Sequence, residues 1–210
     1  SEMEELMADP VSYMPQCEDL VRLKNRLQTA AQREEKVFVF GDYDTDGICA
    51  TTMMVKILKE MNISCGFYIP DRFKEGYGAN TERVKQASEK GYTLLITVDN
   101  GVKAFDALRC AKETGMEVAI IDHHTIEEQP VCDILVHPTV LGEGLEYLCG
   151  AGCVLQLAKI MDLNLHTYYP LAMLATIGDL MIMKKENRYI AGVEVVTAGC
   201  LSASRGIAER

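Results

Sequence analysis

The sequence predicts an α/β fold: a mostly parallel five-stranded sheet with helices on both faces, followed by an α-helical C-terminal part. Three observations lead there. Short runs in which every residue is apolar recur through the first two thirds of the chain. Longer segments with helical periodicity alternate with them, and glycine closes several of these. Strands that are apolar throughout belong to sheets covered on both faces, which is the parallel arrangement.

Taken in order, Gln16 to Arg33 reads as an amphipathic helix, with Leu20, Val21, Leu23 and Leu27 near one side. Val37-Phe38-Val39-Phe40 is a buried strand ending at Gly41. Ile48 to Met61 is a helix, and Cys65 to Ile69 a second strand, stopped by Pro70. Thr81 to Lys90 is a polar helix closed by Gly91. Thr93 to Val98 is the third strand, and Val102 to Thr114 a helix closed by Gly115. Val118 to Ile121 and Ile134 to Val136 are the fourth and fifth strands. From about Leu148 onward the pattern is helical: Gly150 to Met161, Tyr168 to Ile177, and a segment near Arg188 to Ser202.

The chain has 210 residues, of which 48% are hydrophobic and 25% charged, enough for one large domain with a real core. The net charge of −10 argues against a protein whose main task is gripping a nucleic acid backbone. Either carboxylates cluster to hold cations, or a basic surface lies in another domain. The eight cysteines form no C-x-x-C pair and most sit in apolar stretches, so they read as reduced core thiols, not disulfides or zinc ligands. No signal peptide or membrane-spanning run is visible, so a cytoplasmic protein without membrane contact is expected.

Ligands of such folds bind outside the carboxyl ends of the strands. The first strand runs into Gly41-Asp42-Tyr43-Asp44-Thr45-Asp46-Gly47, the third into Asp99-Asn100-Gly101, and the fourth into Asp122-His123-His124. All three deliver carboxylate or imidazole groups to one rim, and none delivers lysine or arginine. Converging carboxylates repel one another unless they are protonated or hold cations. Mixed carboxylate and imidazole ligation suits Mn²⁺ or Mg²⁺, one ion or two, and such ions activate water and clamp phosphodiester oxygens. Each motif has a plainer alternative. An Asp-Gly turn is often only a turn, an aspartate after a strand often caps a helix, and a buried histidine is often structural. The EF-hand pattern is absent, since Leu58 stands near the place of its closing glutamate.

In this order the motifs resemble those of the DHH phosphoesterase superfamily, and most closely its RecJ-type members. The resemblance is carried by Phe40 to Gly47, Ile69-Pro-Asp-Arg-Phe-Lys-Glu-Gly-Tyr-Gly78, Ile96 to Gly101, Ile121 to His124, Gly150-Ala-Gly152, Ala175 to Asp179 and Glu186-Asn-Arg188. It spans roughly Asp9 to Arg188. It implies that Asp44, Asp46, Asp99, His123 and Asp179 ligate one or two Mn²⁺ or Mg²⁺ ions. His124 would act in catalysis from beside the ions or by touching the scissile phosphate. Asp122 and Asp42 would support the ligands from behind, Asp122 by fixing an imidazole. Arg72 would pair with a phosphate and Tyr77 stack on a base, the alternative being a surface loop in which Gly76 and Gly78 make turns. The implied reaction is removal of 5′ nucleotides from single-stranded DNA, in repair and recombination.

Many relatives carry histidine at the place of Phe40, so that ligand is missing here. Residues 1–185 would form the catalytic domain, and 186–210 a connecting helix toward a second, substrate-binding domain. Alternative readings are a phosphodiesterase for oligonucleotides or cyclic dinucleotides, whose first motif is spelled differently, and a non-catalytic replication scaffold of DHH descent. A nucleotide-binding domain is set aside, because Gly41 and Gly47 form neither G-x-G-x-x-G nor a P-loop.

Overall fold

The computed structural model describes residues 10–71 and 79–193. Helix α1 (Glu18–Gln32) leads into β1 (Lys36–Phe40), α2 (Thr45–Glu60) and β2 (Ser64–Tyr68). Then come α3 (Thr81–Glu89), β3 (Tyr92–Val98), α4 (Phe105–Glu113), β4 (Glu117–Ile121) and β5 (Ile134–Val136). The short α5 (Pro138–Leu141), α6 (Gly150–Ile160), a 3-10 turn (Leu165–Thr167) and α7 (Tyr169–Gly178) complete the ordered run, and residues 186–193 are again helical. The five strands are all parallel, in the order β2-β1-β3-β4-β5.

The alternation along each strand explains the continuous apolar runs. Val37, Val39, Leu94, Ile96, Ala119 and Ile134 face one core layer, with α1, α2, α6 and α7. Phe40, Leu95, Val118 and Ile120 face the other, beneath α3 and α4. Register aligns these sets across the sheet: Val39 stands opposite Ile96, Ile96 opposite Ala119, and Ala119 opposite Ile134. A residue slip would turn every one of these side chains to the wrong layer.

The sheet grows outward from β1 in one direction to β2 and in the other to β3. Adjacent β1 and β3 therefore send their following loops to opposite faces, which opens a crevice at their carboxyl ends. That crevice receives the loops carrying Asp42 to Asp46 and Asp99.

Several element boundaries differ from the sequence expectation, each for a local reason. Helix α2 starts at Thr45, not Ile48, because Asp44 caps it: its carboxylate accepts from Gly47 N at 2.9 Å. Gly47, which reads as a turn residue, is thus inside the first turn. Helix α4 starts at Phe105, not Val102, since Gly101 to Ala104 makes a turn closed by Ala104 N donating to Gly101 O. Helix α5 has no counterpart in the sequence expectation; His137 caps it and Pro138 opens it. Val21 is 49% exposed, leaving Leu20, Leu23, Leu27 and Ala30 as the buried stripe of α1. The last expected helix begins at 186, and its part beyond 193 lies outside the described residues, as does Cys200. The seven described cysteines are all free, five of them buried. Among the described residues no helix is long and apolar enough to cross a membrane.

Candidate metal centre

Three carboxylates surround one imidazole. His123 Nε2 lies 3.2 Å from Asp99 Oδ1, 3.5 Å from Asp46 Oδ2 and 3.6 Å from Asp179 Oδ2. These four residues come from the ends of β3 and β4, the first turn of α2 and the C-terminus of α7. Asp46 and Asp99 are almost completely buried, and Asp179 is partly open to solvent.

Each side chain is aimed by its backbone. Asp99 adopts a left-handed conformation, with φ of 57°, immediately after β3. An aspartate in that region is held there by its surroundings at some cost. Here its amide donates to Ile121 O at 2.9 Å, and the Asn100 amide group donates to Phe40 O and Val98 O, tying the ends of β1 and β3 together. Asp46 is seized from the other side. Gly150 N and Ala151 N, at the start of α6, donate to its two oxygens at 2.6 and 2.7 Å. A helix N-terminus is a natural seat for a carboxylate, because its amides have no partners within the helix.

Asp122 organises the third loop. Its Oδ2 accepts from Val102 N at 3.0 Å. Its Oδ1 accepts from the amides of His123 and His124 and from His124 Nδ1 at 2.7 Å. Burial alone would raise this carboxyl, but the bonds from His124 and Val102 outweigh it and hold Asp122 below its ordinary range. The same contact raises the His124 imidazole, against the opposing effect of burial. The protonated ring is thereby favoured beside an otherwise acidic centre.

Asp99, Asp42 and Asp179 are pushed the opposite way. Burial, then the neighbouring Asp46 and Asp44, raise the Asp99 carboxyl far above the ordinary range. Burial also raises Asp42 and Asp179, with His123 partly offsetting the latter. Both oxygens of Asp99 lack a well-aligned hydrogen-bond partner, the 3.2 Å approach of His123 being an ion-pair contact, and Asp42 meets the backbone amide of Tyr43 in poor alignment. Carboxylates buried this way call for cations. Three groups of donor atoms, each within 4.8 Å of one another, are formed by Asp46, His123 and Asp179, by Asp99, His123 and His124, and by Asp42, Asp44 and Asp99. The oxygen and imidazole donors fit a hard or borderline divalent ion such as Mn²⁺ or Mg²⁺.

Every described residue marked by the sequence therefore gathers here: Asp42, Asp44, Asp46, Asp99, Asp122, His123, His124 and Asp179. Arg72 and Tyr77 lie outside the described residues. Phe40 is fully buried, its ring 5.4 Å from that of Tyr68, so it serves packing rather than the centre. Sequence reasoning missed two supports. The first is the α6 amide pair, signalled by Gly150-Ala151-Gly152 without a role being apparent. The second is His137, whose Nε2 donates to His124 O at 3.0 Å while Thr139 N donates to Nδ1 at 3.3 Å. A histidine before a proline carries no distinctive signal of that role. Glu186 and Asn187 also acquire a structural meaning: Asn187 donates to Tyr147 O and Ile182 O, and Glu186 pairs with the buried Lys159.

A cavity of about 670 Å³ opens beside His124, lined by Asn80 and Thr81 at the start of α3 and by Lys103 to Ala107 around the start of α4.

Comparison with known proteins agrees with this geometry. Residues 36–183 match the family described as "DHH family, N-terminal domain". The single-stranded-DNA-specific exonuclease RecJ of Bacillus subtilis is 39% identical over 171 residues, covering 80% of this chain and 22% of that protein. A crystal structure of exonuclease RecJ bound to manganese superposes with a TM-score of 0.77 at 32% identity, over 86% of this chain and 48% of the other. RecJ of Thermus thermophilus in complex with Mn²⁺ gives 0.73 at 29% identity, over 90% of this chain and 28% of the other. The chain spans less than half the length of each of these relatives. From fold, motifs and the extent of the match, the chain belongs to the DHH family, with an N-terminal domain of the RecJ type.

Proposed function

We propose that this chain is the metal-dependent catalytic core of a phosphodiesterase that removes 5′ nucleotides from single-stranded DNA. The observation that carries the reading is the convergence of Asp46, Asp99 and Asp179 on His123. Asp44, Asp46, Asp99, His123 and Asp179 would hold Mn²⁺ or Mg²⁺. When bound, such an ion supplies Lewis acidity at a phosphoryl oxygen and makes a water more acidic. The likeness to RecJ structures described as holding manganese supports that choice of ion.

The chain's own groups then divide the work. The α6 amides keep Asp46 in place without lending it a counter-charge that would compete with the ion. Asp122 keeps the His124 ring oriented and favours its charged form, so that it presents positive charge to a phosphate oxygen. The cavity beside His124 has room for a nucleotide, and the amides opening α4 border it, a setting that favours phosphate. Arg72 and Tyr77 complete the proposal as phosphate and base contacts.

The net charge of −10 fits a core that relies on another domain for its grip on DNA. Exposed apolar side chains beside Asp179, namely Leu174, Ile177, Leu180, Ile182 and Met183, suit coverage by such a domain. The test is Mn²⁺-dependent release of nucleotides from 5′-labelled single-stranded DNA, with Asp99→Ala and duplex DNA in parallel. Release by the wild type alone, from single strands alone, is expected. Equal release by Asp99→Ala would overturn the reading.

A further inference from the structure

We propose that Asn187 is a positioning residue for the metal centre: its side-chain amide fixes the separation of Asp46 and Asp179 by tying together the two loops that deliver them. This rests on the metal-hydrolase reading above and gives a task to a residue outside the groups that gather around His123.

The two carboxylates reach the centre from separate supports. Asp46 rests on Gly150 N and Ala151 N at the start of α6, and Asp179 caps the C-terminus of α7. An oxygen of each lies within 4.8 Å of the other and of a His123 nitrogen. An ion tolerates errors of about 0.2 Å in its ligand distances, so the two supports must be held in register. Cys149, ahead of α6, meets Thr176 of α7 at 3.9 Å between Sγ and Oγ1, which is a weak link.

Asn187 supplies a stronger one. Its side-chain nitrogen donates to Tyr147 O at 2.6 Å and to Ile182 O at 3.0 Å. Tyr147 stands three positions before Gly150, and Ile182 three positions after Asp179. One amide group thus uses both of its N–H bonds to join the approach to the seat of Asp46 with the exit from Asp179. Asn187 is 1% exposed, and its Oδ1 has no hydrogen-bond partner among the described residues. What this buried polar group contributes therefore lies in its two donors.

The loop it holds needs holding. Leu180, directly after Asp179, and Lys185 are both left-handed, each with φ of 53°. Residues with a side chain keep that conformation where their surroundings enforce it. The anchor is itself secured: Glu186 N donates to Gly144 O at 3.2 Å, and the Glu186 carboxylate pairs with Lys159 near the far end of α6. Helix α6 is thus gripped through Glu186 at one end and through Asn187 ahead of its first turn, the turn that carries the amides seating Asp46.

The experiment compares the full chain with Asn187→Ser, which cannot span both carbonyls, and with Ile190→Ala, which loosens the fully buried packing of the same segment and leaves the Asn187 bonds alone. Calorimetric Mn²⁺ titration measures affinity, and thermal melts follow the metal-free proteins. Both variants should lower the metal-free Tm. Asn187→Ser should weaken Mn²⁺ binding by about ten-fold or more, whereas Ile190→Ala should stay within about two-fold of the wild type. Should the serine variant fail to fold, Asn187→Gln repeats the test, since it keeps both N–H groups on a longer arm and displaces the two loops. Mn²⁺ affinity unchanged by the Asn187 substitution overturns the positioning role and leaves the metal-hydrolase reading standing. So does an equal loss in Ile190→Ala, which would trace the effect to general loosening. A wild type that binds no Mn²⁺ overturns both.

Discussion

Asp46 is held by Gly150, 104 residues further along the chain, whose amide donates to Asp46 Oδ2 at 2.6 Å. The contact exists because Gly150 has no side chain. A Cβ there would lie 2.8 Å from Asp99 Cβ and 3.0 Å from Asp99 Cα, and backbone cannot give way as a flexible side chain can. Gly150→Ala would be mildly favourable in an ordinary helix. Here it should separate α6 from both carboxylates, costing about 1–3 kcal/mol of stability through overpacking. Mn²⁺ affinity should drop by about 10–100-fold. Calorimetric titration and thermal melts of the variant check this, and an unchanged affinity would show that the α6 amides are dispensable.

The stability of the metal-free protein should fall as pH rises. Asp99 is raised by burial and by Asp46 and Asp44, and Asp42 and Asp179 are raised chiefly by burial. A carboxyl whose folded pKa exceeds its unfolded one keeps a proton that the unfolded chain has lost. Stability therefore declines above the ordinary carboxylate range, by about 1.4 kcal/mol per pH unit for each proton so held. His124, raised chiefly by its bond to Asp122, has the same sign: its contribution is complete below its ordinary value and lost as pH rises through the raised one. Asp122, held low, loses its contribution only on stronger acidification. Metal-free melts between about pH 5.5 and 8 should show Tm decreasing with pH. Saturating Mn²⁺ should stabilise most at the alkaline end, and chelation should restore the decline. A metal-free Tm that climbs with pH would contradict the assignment.

His137 should matter through His124, since it holds that residue's carbonyl. His137→Leu removes the bond to that carbonyl and should cost about 1–3 kcal/mol of stability. It should also lower kcat by about ten-fold with a smaller change in KM. His137→Gln, which retains an N–H donor, should recover part of both. Melts and steady-state kinetics on single-stranded DNA measure these effects. Equal kcat for the leucine variant would confine His137 to a capping role.

Lys159 and Glu186 form a fully buried ion pair that also anchors the segment before α1: Lys159 Nζ donates to Ser12 Oγ and Tyr13 O, and Tyr13 N donates to Glu186 Oε2 at 2.7 Å. Removing one charge strands the other, so Glu186→Leu should destabilise the protein by about 3–5 kcal/mol. Replacing both, with Lys159→Met added, should recover much of that loss. Urea denaturation of the single and double variants decides it. A double variant no better than the single would mean that the hydrogen bonds to Ser12 and Tyr13 carry the stability.

The sequence by itself determined the parallel sheet and the order of its elements, because strands covered on both faces must be apolar throughout, as Val37 to Phe40 and Leu94 to Val98 are. It also determined which acids and imidazoles follow the strands, since Asp44, Asp46, Asp99 and His123 stand where the chain leaves the sheet, whereas Asp179, at the end of α7, is marked only by the family resemblance. The tertiary structure decided how those groups are held. That Asp46 rests on the amides of Gly150 and Ala151, that His137 secures His124, and that Asp42 is buried beside other carboxylates all depend on contacts between distant segments. No local pattern encodes them, because backbone amides look alike in every sequence and burial exists only once the layers have packed.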